Sequence, residues 1–315
     1  MDMFRGIWPA LVTPLTDEGD IDAQAAEALV EALVATGIGG LYVCGGTGEG
    51  VLLQPEARRR MAEVAVKAAA GRVPVMIHVG TTDTKTAAEL GEHASKIGAD
   101  AVSAVPPFYY AYSFEAIKEH YAAICAASSV PLYMYYIPGA TGVNMTAAEI
   151  LDICAMDGVR GLKYTSLDLD VMGQLMALRD PEKVNVMSGP DPLFLATLAL
   201  GADGAIGTTY NFMPRLYIDI MGSLLAGDVT TARRLQASAA RLILAMRPYG
   251  VLPGTKALLA SLGLPVGDCV PPMPAIHGER VQQMRADLDA AGFTGLLKRN
   301  TLYGPKEDPM RGRLA

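Results

Sequence analysis

Short apolar runs alternate with longer stretches of helical spacing along most of the chain, the pattern of repeated βα units. The first run covers residues 7–12. Residues 22–35 then carry apolar side chains at helical intervals and stop at Gly37, where the lack of a Cβ lets the chain turn out of a helix. Runs at 41–44, 73–79 and 101–105 follow, separated by helical patterns at 55–70 and 84–97 that stop at Gly71 and Gly98. A helix over 114–127 leads to a run at 132–137. The next helix, 146–156, opens on a capping box, Thr146 with Glu149 three residues on, which satisfies two free N–H groups at once. Runs at 159–164, 184–187 and 204–206 complete the series, with helices expected between them.

Eight such repeats in a row, on strands that turn polar at their C-terminal ends, predict a (β/α)8 TIM barrel over residues 1–213. An open, doubly wound sheet uses the same alternation and stays as the alternative. Residues 214–292 show no strand pattern and read as a helical extension of the same domain. From Phe293 the chain is rich in Gly, Pro and charge, so a poorly ordered tail or contact arm is expected there.

Composition narrows this picture. Hydrophobic residues make up 51% and charged residues 19%, enough apolar surface to fill a barrel and its helical coat, and too much for disorder. The formal net charge of −7 comes without a basic stripe, so no nucleic-acid partner is expected. No stretch approaches ~18 uninterrupted apolar residues, so no membrane span is expected. The four cysteines form no CxxC pair and no zinc pattern, which suits a reducing compartment. The opening MDMFRGIWPALVTPL lacks a charged leader and cleavage site, and a cytoplasmic location is expected.

In a barrel, catalytic groups sit where strands end and βα loops begin. Lys163 ends the sixth run, after Gly161 and Leu162. Desolvation at a barrel mouth lowers a lysine pKa from ~10.4 toward neutrality, and a neutral amine attacks carbonyls; a lysine snorkelling to solvent is the competing account. Tyr135 lies near the end of the fifth run, where a phenol relays protons or simply packs. Strand alternation puts Tyr133 and Tyr135 on one face and Tyr136 on the other. The turn Gly45-Gly46-Thr47-Gly48-Glu49-Gly50 lets N–H groups converge on an anion such as a carboxylate, or is a tight turn without a ligand. Ser188-Gly189-Pro190-Asp191 and Gly207-Thr208-Thr209 line a pocket or are ordinary loop chemistry. The four histidines show no HxH or HExxH spacing, so structural roles and no metal are expected. No G-x-S-x-G elbow is present.

The ordered set GGTGEG, YYIPGATGVNM, GLKYT, SGPD and GADGAIGTTYN, spread from about Gly6 to Ala291, resembles the dihydrodipicolinate synthase / N-acetylneuraminate lyase family, closer to the lyase branch. The resemblance implies a class I, pyruvate-type lyase or aldolase on a TIM barrel, a homotetramer needing no cofactor. It implies Lys163 as the Schiff-base lysine, Tyr135 as the catalytic tyrosine, and Gly46 and Thr47 as the holders of the pyruvate carboxylate. Ile206 falls beside the imine, and Tyr109 at a position that reaches toward a neighbouring subunit's site. Thr165, Gly189, Asp191 and Thr208 match positions that contact the sugar part.

Three departures bear on the chemistry. Gly46 stands where the family usually has Ser or Thr, so a hydroxyl in the relay to Tyr135 is missing and water is expected to replace it. Ala140 replaces the arginine of dihydrodipicolinate synthases, removing the reason to expect a second carboxylate partner. Pro192 replaces a glutamate, and its side chain accepts no hydrogen bonds. The expected substrate is therefore a 2-keto-3-deoxy sugar acid or a sialic-acid-like compound. Dehydration through the same imine, and a silent keto-acid sensor, are the other readings.

Overall fold

The computed structural model describes residues 4–299. Strand and helix alternate from the start: β1 (Gly6–Pro9), α1 (Ala23–Val34), β2 (Leu41–Val43), α2 (Pro55–Ala69), β3 (Val75–His78), α3 (Thr84–Lys96), β4 (Ala101–Ala104), α4 (Phe114–Ala127) and β5 (Leu132–Tyr136). A single helical turn, α5 (Pro138–Thr141), precedes α6 (Ala147–Cys154), β6 (Val159–Tyr164), α7 (Leu169–Leu178), β7 (Asn185–Ser188), α8 (Phe194–Ala199) and β8 (Gly204–Gly207). Among the described residues, the elements that follow are all helices, among them α9 (Pro214–Leu225), α10 (Val229–Met246), α11 (Val251–Ser261), α12 (Glu279–Ala290) and α13 (Phe293–Arg299). Thr146 and Glu149 close the capping box that starts α6.

All the strands run parallel, each beside its sequence neighbours. β1 pairs with β8, Gly6 opposite Gly204 through Pro9 opposite Gly207. Between β1 and β2 a parallel bridge joins Ala10 to Tyr42, and Leu11 N–H donates to the Tyr42 carbonyl at 2.8 Å. First and last strands therefore meet, and the sheet is a TIM barrel, not an open doubly wound sheet.

Alternation along the strands sorts the core into two bodies. Trp8, Tyr42, Met76, Ala101, Tyr133, Tyr135, Met187 and Ile206 fill the barrel interior. Their strand neighbours, including Val43, Ile77, Met134, Tyr136 and Leu162, face the helices in a second cluster. Tyr133 and Tyr135 thus part from Tyr136, as the pleat requires. Among the described residues, no helix is long and apolar enough to cross a membrane.

One sequence expectation is corrected. The segment from Phe293 begins not as a tail but as α13, with Phe293 buried and its ring 6.2 Å from that of Phe212. An apolar anchor at its first position outweighs the Gly and charge that follow. The remainder of the expected tail, 300–315, lies outside the described residues.

Candidate active site

Lys163 and Tyr135 stand opposite each other in register on β6 and β5, and both point inward. The Lys163 Nζ lies 4.2 Å from the ring centroids of both Tyr135 and Tyr42. The residue is only 4% exposed, which rules out snorkelling. Burial pushes its pKa down to about 7, while the Asp191 carboxylate pulls the other way. A lysine in this state is a usable nucleophile near neutral pH.

Burial pushes the Tyr135 phenol up to about 12, and the neighbouring Thr165 hydroxyl eases the phenolate. That hydroxyl, though beside the phenol, completes no hydrogen bond among the described residues. The Tyr135 ring is held edge-on by Tyr42 and His78, with centroids at 5.9 and 5.7 Å. His78 uses both ring nitrogens, Nδ1 toward the Cys44 carbonyl at 3.2 Å and Nε2 toward Val105 N–H at 3.3 Å. Burial and the cations Arg58 and Lys163 hold it well below the usual histidine range, so it is a neutral wall of the site.

The glycine-rich turn folds on itself. Gly50 N–H donates to the Gly45 carbonyl at 3.0 Å and Glu49 N–H to that of Gly46 at 3.1 Å. Among the described residues, no acceptor takes the N–H groups of Gly46 and Thr47. The Thr47 hydroxyl meets that of Thr208 at 2.6 Å. A Cβ on Gly46 would have nothing within 4 Å, so the space beside it is open.

Asp191 is buried. Its Oδ2 accepts from the Thr209 amide at 2.9 Å and the Thr209 hydroxyl at 2.7 Å. Oδ1 has no partner among the described residues and lies 2.0 Å from where a Cβ on Gly207 would stand. Burial lifts this carboxyl to about 6, against the lowering effects of the Thr209 bonds and of Lys163. A Cβ on Gly189 would fall 1.7 Å from the Thr165 hydroxyl, so glycine there is what makes room for that group.

Gly46, Thr47, Tyr135, Lys163, Thr165, Gly189, Ile206 and Thr208 converge on one cavity of about 280 Å³. Asp191 stands just behind its Gly207 wall. Larger surface clefts, of about 1020 and 790 Å³, hold neither Lys163 nor Tyr135; the convergence of reactive groups, not size, marks the site. Tyr109 is not brought to this cavity. It is 85% exposed, at φ +83°, and lines a separate cleft with Tyr110 and Tyr112. Sequence reasoning missed Tyr42, His78, Val251 and Leu252. Strand alternation marks Tyr42 as inward; nothing local marks Val251 and Leu252, which reach the cavity from the helical extension. Among the described residues, no group of three or more His, Cys, Asp or Glu is placed to hold a metal ion.

A closed parallel barrel with a desolvated lysine beside a tyrosine at its C-terminal mouth is the architecture of a class I, imine-forming lyase. The chain belongs to the Dihydrodipicolinate synthetase family, which matches residues 3–291. It is 42% identical over 265 residues to an N-acetylneuraminate lyase of Rhizobium meliloti (strain 1021), covering 84% of this chain and 87% of the relative. A Citrobacter koseri N-acetylneuraminate lyase is 40% identical over 256 residues, 81% and 86% of the two chains. Among solved structures, the catalytic lysine mutant of a Ruminococcus gnavus sialic acid aldolase superposes with a TM-score of 0.89 at 29% identity, covering 94% of this chain and 97% of its own.

Proposed function

We propose that the protein breaks and forms the carbon–carbon bond between pyruvate and an aldehyde through an imine on Lys163. The longer substrate is a 2-keto-3-deoxy sugar acid or a sialic-acid-like compound. The observation that carries this is the burial of the Lys163 amine between the Tyr42 and Tyr135 rings, with a pKa of about 7. A pKa lowered this far leaves free amine available near neutral pH.

The free N–H groups of Gly46 and Thr47 hold the carboxylate of the 2-oxo acid. The amine adds to the keto carbon. Tyr135, a phenol at the outset, gives its proton to the departing hydroxyl; water leaves, and an iminium forms beside a phenolate. The phenolate takes the proton of the C4 hydroxyl, the C3–C4 bond breaks, and its electron pair runs into the iminium. An aldehyde and the enamine of pyruvate remain. Ile206 packs beside the imine. The free Asp191 Oδ1 and the Thr165 hydroxyl, which Gly189 makes room for, orient the distal hydroxyls together with Thr208. The relatives named N-acetylneuraminate lyase support the sugar-acid half of this reading. Pro192, with no acceptor on its side chain, favours the shorter acids.

A homotetramer in the cytoplasm is part of the proposal. The exposure of Tyr109 supports delivery of this ring to a neighbour's pocket, and four free cysteines suit a reducing compartment. Borohydride trapping with pyruvate tests the core of it. The wild-type protein should be labelled covalently and Lys163→Ala should not; labelling of the variant at wild-type level overturns the assignment.

The open space at Gly46 favours a second reading, dehydration of the sugar acid through the same imine, because solvent there changes proton delivery. Release of pyruvate and an aldehyde from a panel of sugar acids counts against it.

A further inference from the structure

Glu49 and Lys256 lie 207 residues apart, yet form an ion pair at 3.0 Å with side chains 0% and 2% exposed. The Lys256 ammonium, on α11, also donates to the carbonyls of Thr13, at 2.9 Å, and Asp268. The other Glu49 oxygen accepts from Val270 N–H. The Thr13 hydroxyl donates to the Gly48 carbonyl at 2.6 Å. One buried ammonium thus gathers the loop after β1, the glycine-rich turn after β2 and the loop after α11.

Stability alone does not account for such a pair. Desolvating two charges costs about as much as their attraction returns, and apolar side chains of similar shape often serve the fold as well. What a buried pair does supply is register, since removing one partner strands the other. Register is what this turn needs. Glu49 sits at φ +57°, a conformation costly for a residue with a Cβ, and its anchored carboxylate holds it there. Gly46 and Thr47, with their free N–H groups, stand three and two residues before it.

We propose that the Glu49–Lys256 pair is a positioning device that aims the Gly46 and Thr47 N–H groups at the substrate carboxylate. In this arrangement α11 sets recognition of the carboxylate through Lys256, while Val251 and Leu252 at its first turn wall the same cavity. The assignment rests on the carboxylate role of the turn proposed above.

The test compares rates of borohydride-trapped adduct formation with pyruvate and with pyruvamide, its neutral isostere. The proteins are the full-length wild type, Lys256→Met, and the double variant Glu49→Gln/Lys256→Met, which removes both charges and leaves no stranded ion. Wild type should favour pyruvate. In both variants that preference should fall by about tenfold to a hundredfold, the usual effect of a small misplacement, while pyruvamide trapping changes little. A purely structural role would lower both rates together through loss of folded protein. Folded variants that keep the wild-type preference overturn the positioning role and leave the carboxylate site standing. A wild type without preference overturns the carboxylate site itself, and this proposal with it. Two unfolded variants mark the pair as a folding device and overturn the proposal.

Discussion

The hydroxyls of Thr47 and Thr208 meet at 2.6 Å across 161 residues of sequence. The bond joins the turn after β2 to the end of β8 and makes one wall of the cavity from two distant loops. Thr47→Val and Thr208→Val should each slow pyruvate trapping, and the double variant should be little worse than the poorer single one. A coupling of about 1 kcal/mol is expected for a partly buried hydrogen bond. Strictly additive losses in a double-mutant cycle would show that the two hydroxyls act independently.

Gly189→Ala should be damaging well beyond its one methyl group. The new Cβ would stand 1.7 Å from the Thr165 hydroxyl, so that side chain must move. A loss of about 1–3 kcal/mol in unfolding free energy is expected from such overpacking, with a larger drop in turnover than in pyruvate trapping, because the proposed function assigns Thr165 to the distal part of the substrate. Denaturant melts and the two rates check this; unchanged turnover would remove Thr165 from the site.

Gly46→Ser should be accepted by the fold, since its Cβ meets nothing within 4 Å. Its thermal midpoint should stay within a few degrees of wild type. A hydroxyl there adds a donor to the proposed relay to Tyr135, and bond cleavage should quicken by about a hundredfold, the low side of general acid–base effects. Equal cleavage rates in steady-state assays would mean that water already carries the proton as well.

Imine formation should gain speed as pH rises. The Lys163 pKa is lowered from 10.5 to about 7, so the ammonium dominates below that value and the reactive amine above it. Trapping rates with pyruvate should climb about tenfold per unit well below pH 7 and level off about one unit above it. Protonation of Asp191, near 6, removes a carboxylate that favours the ammonium and so blunts the acid limb. A profile still climbing at about pH 10 would show an amine that burial does not perturb.

Pro192→Glu should shift substrate preference toward longer sugars. Pro192 is exposed in the short turn that follows β7, so a glutamate fits without repacking and adds acceptors for hydroxyls. Cleavage of sialic acid should rise relative to a six-carbon 2-keto-3-deoxy acid in a side-by-side kcat/KM comparison. An unchanged ratio would place the distal hydroxyls elsewhere.

The βα repeats were legible because periodicity and glycine stops act within a few residues of each other. The run at 159–164 and the helix at 114–127 coincide with β6 and α4, and the Thr146–Glu149 box lies where its spacing placed it. The site was legible only in part. Lys163, Tyr135 and the turn carry local signals: a strand end, a pleat position, a cluster of glycines. Tyr42, which packs its ring on the Lys163 amine, looked like any buried strand residue. Nothing in the sequence around Lys256 marks its role, because no local pattern shows a partner 207 residues away. Phe293 was read by the polar composition behind it, while in the structure it starts α13 with its ring 6.2 Å from that of Phe212.

Sequence alone determined the order of the elements, the common face of Tyr133 and Tyr135, and the placing of Lys163 at the end of a strand. These follow from chain geometry, which repeats over two residues in a strand and 3.6 in a helix. Tertiary structure alone decided that the sheet closes, that Thr47 meets Thr208, and that Lys163 titrates near 7. A pKa depends on everything within a few ångströms of the charge. Around Lys163 those groups come from β2, β5 and the turn after β7, and only the closed barrel brings them to one place.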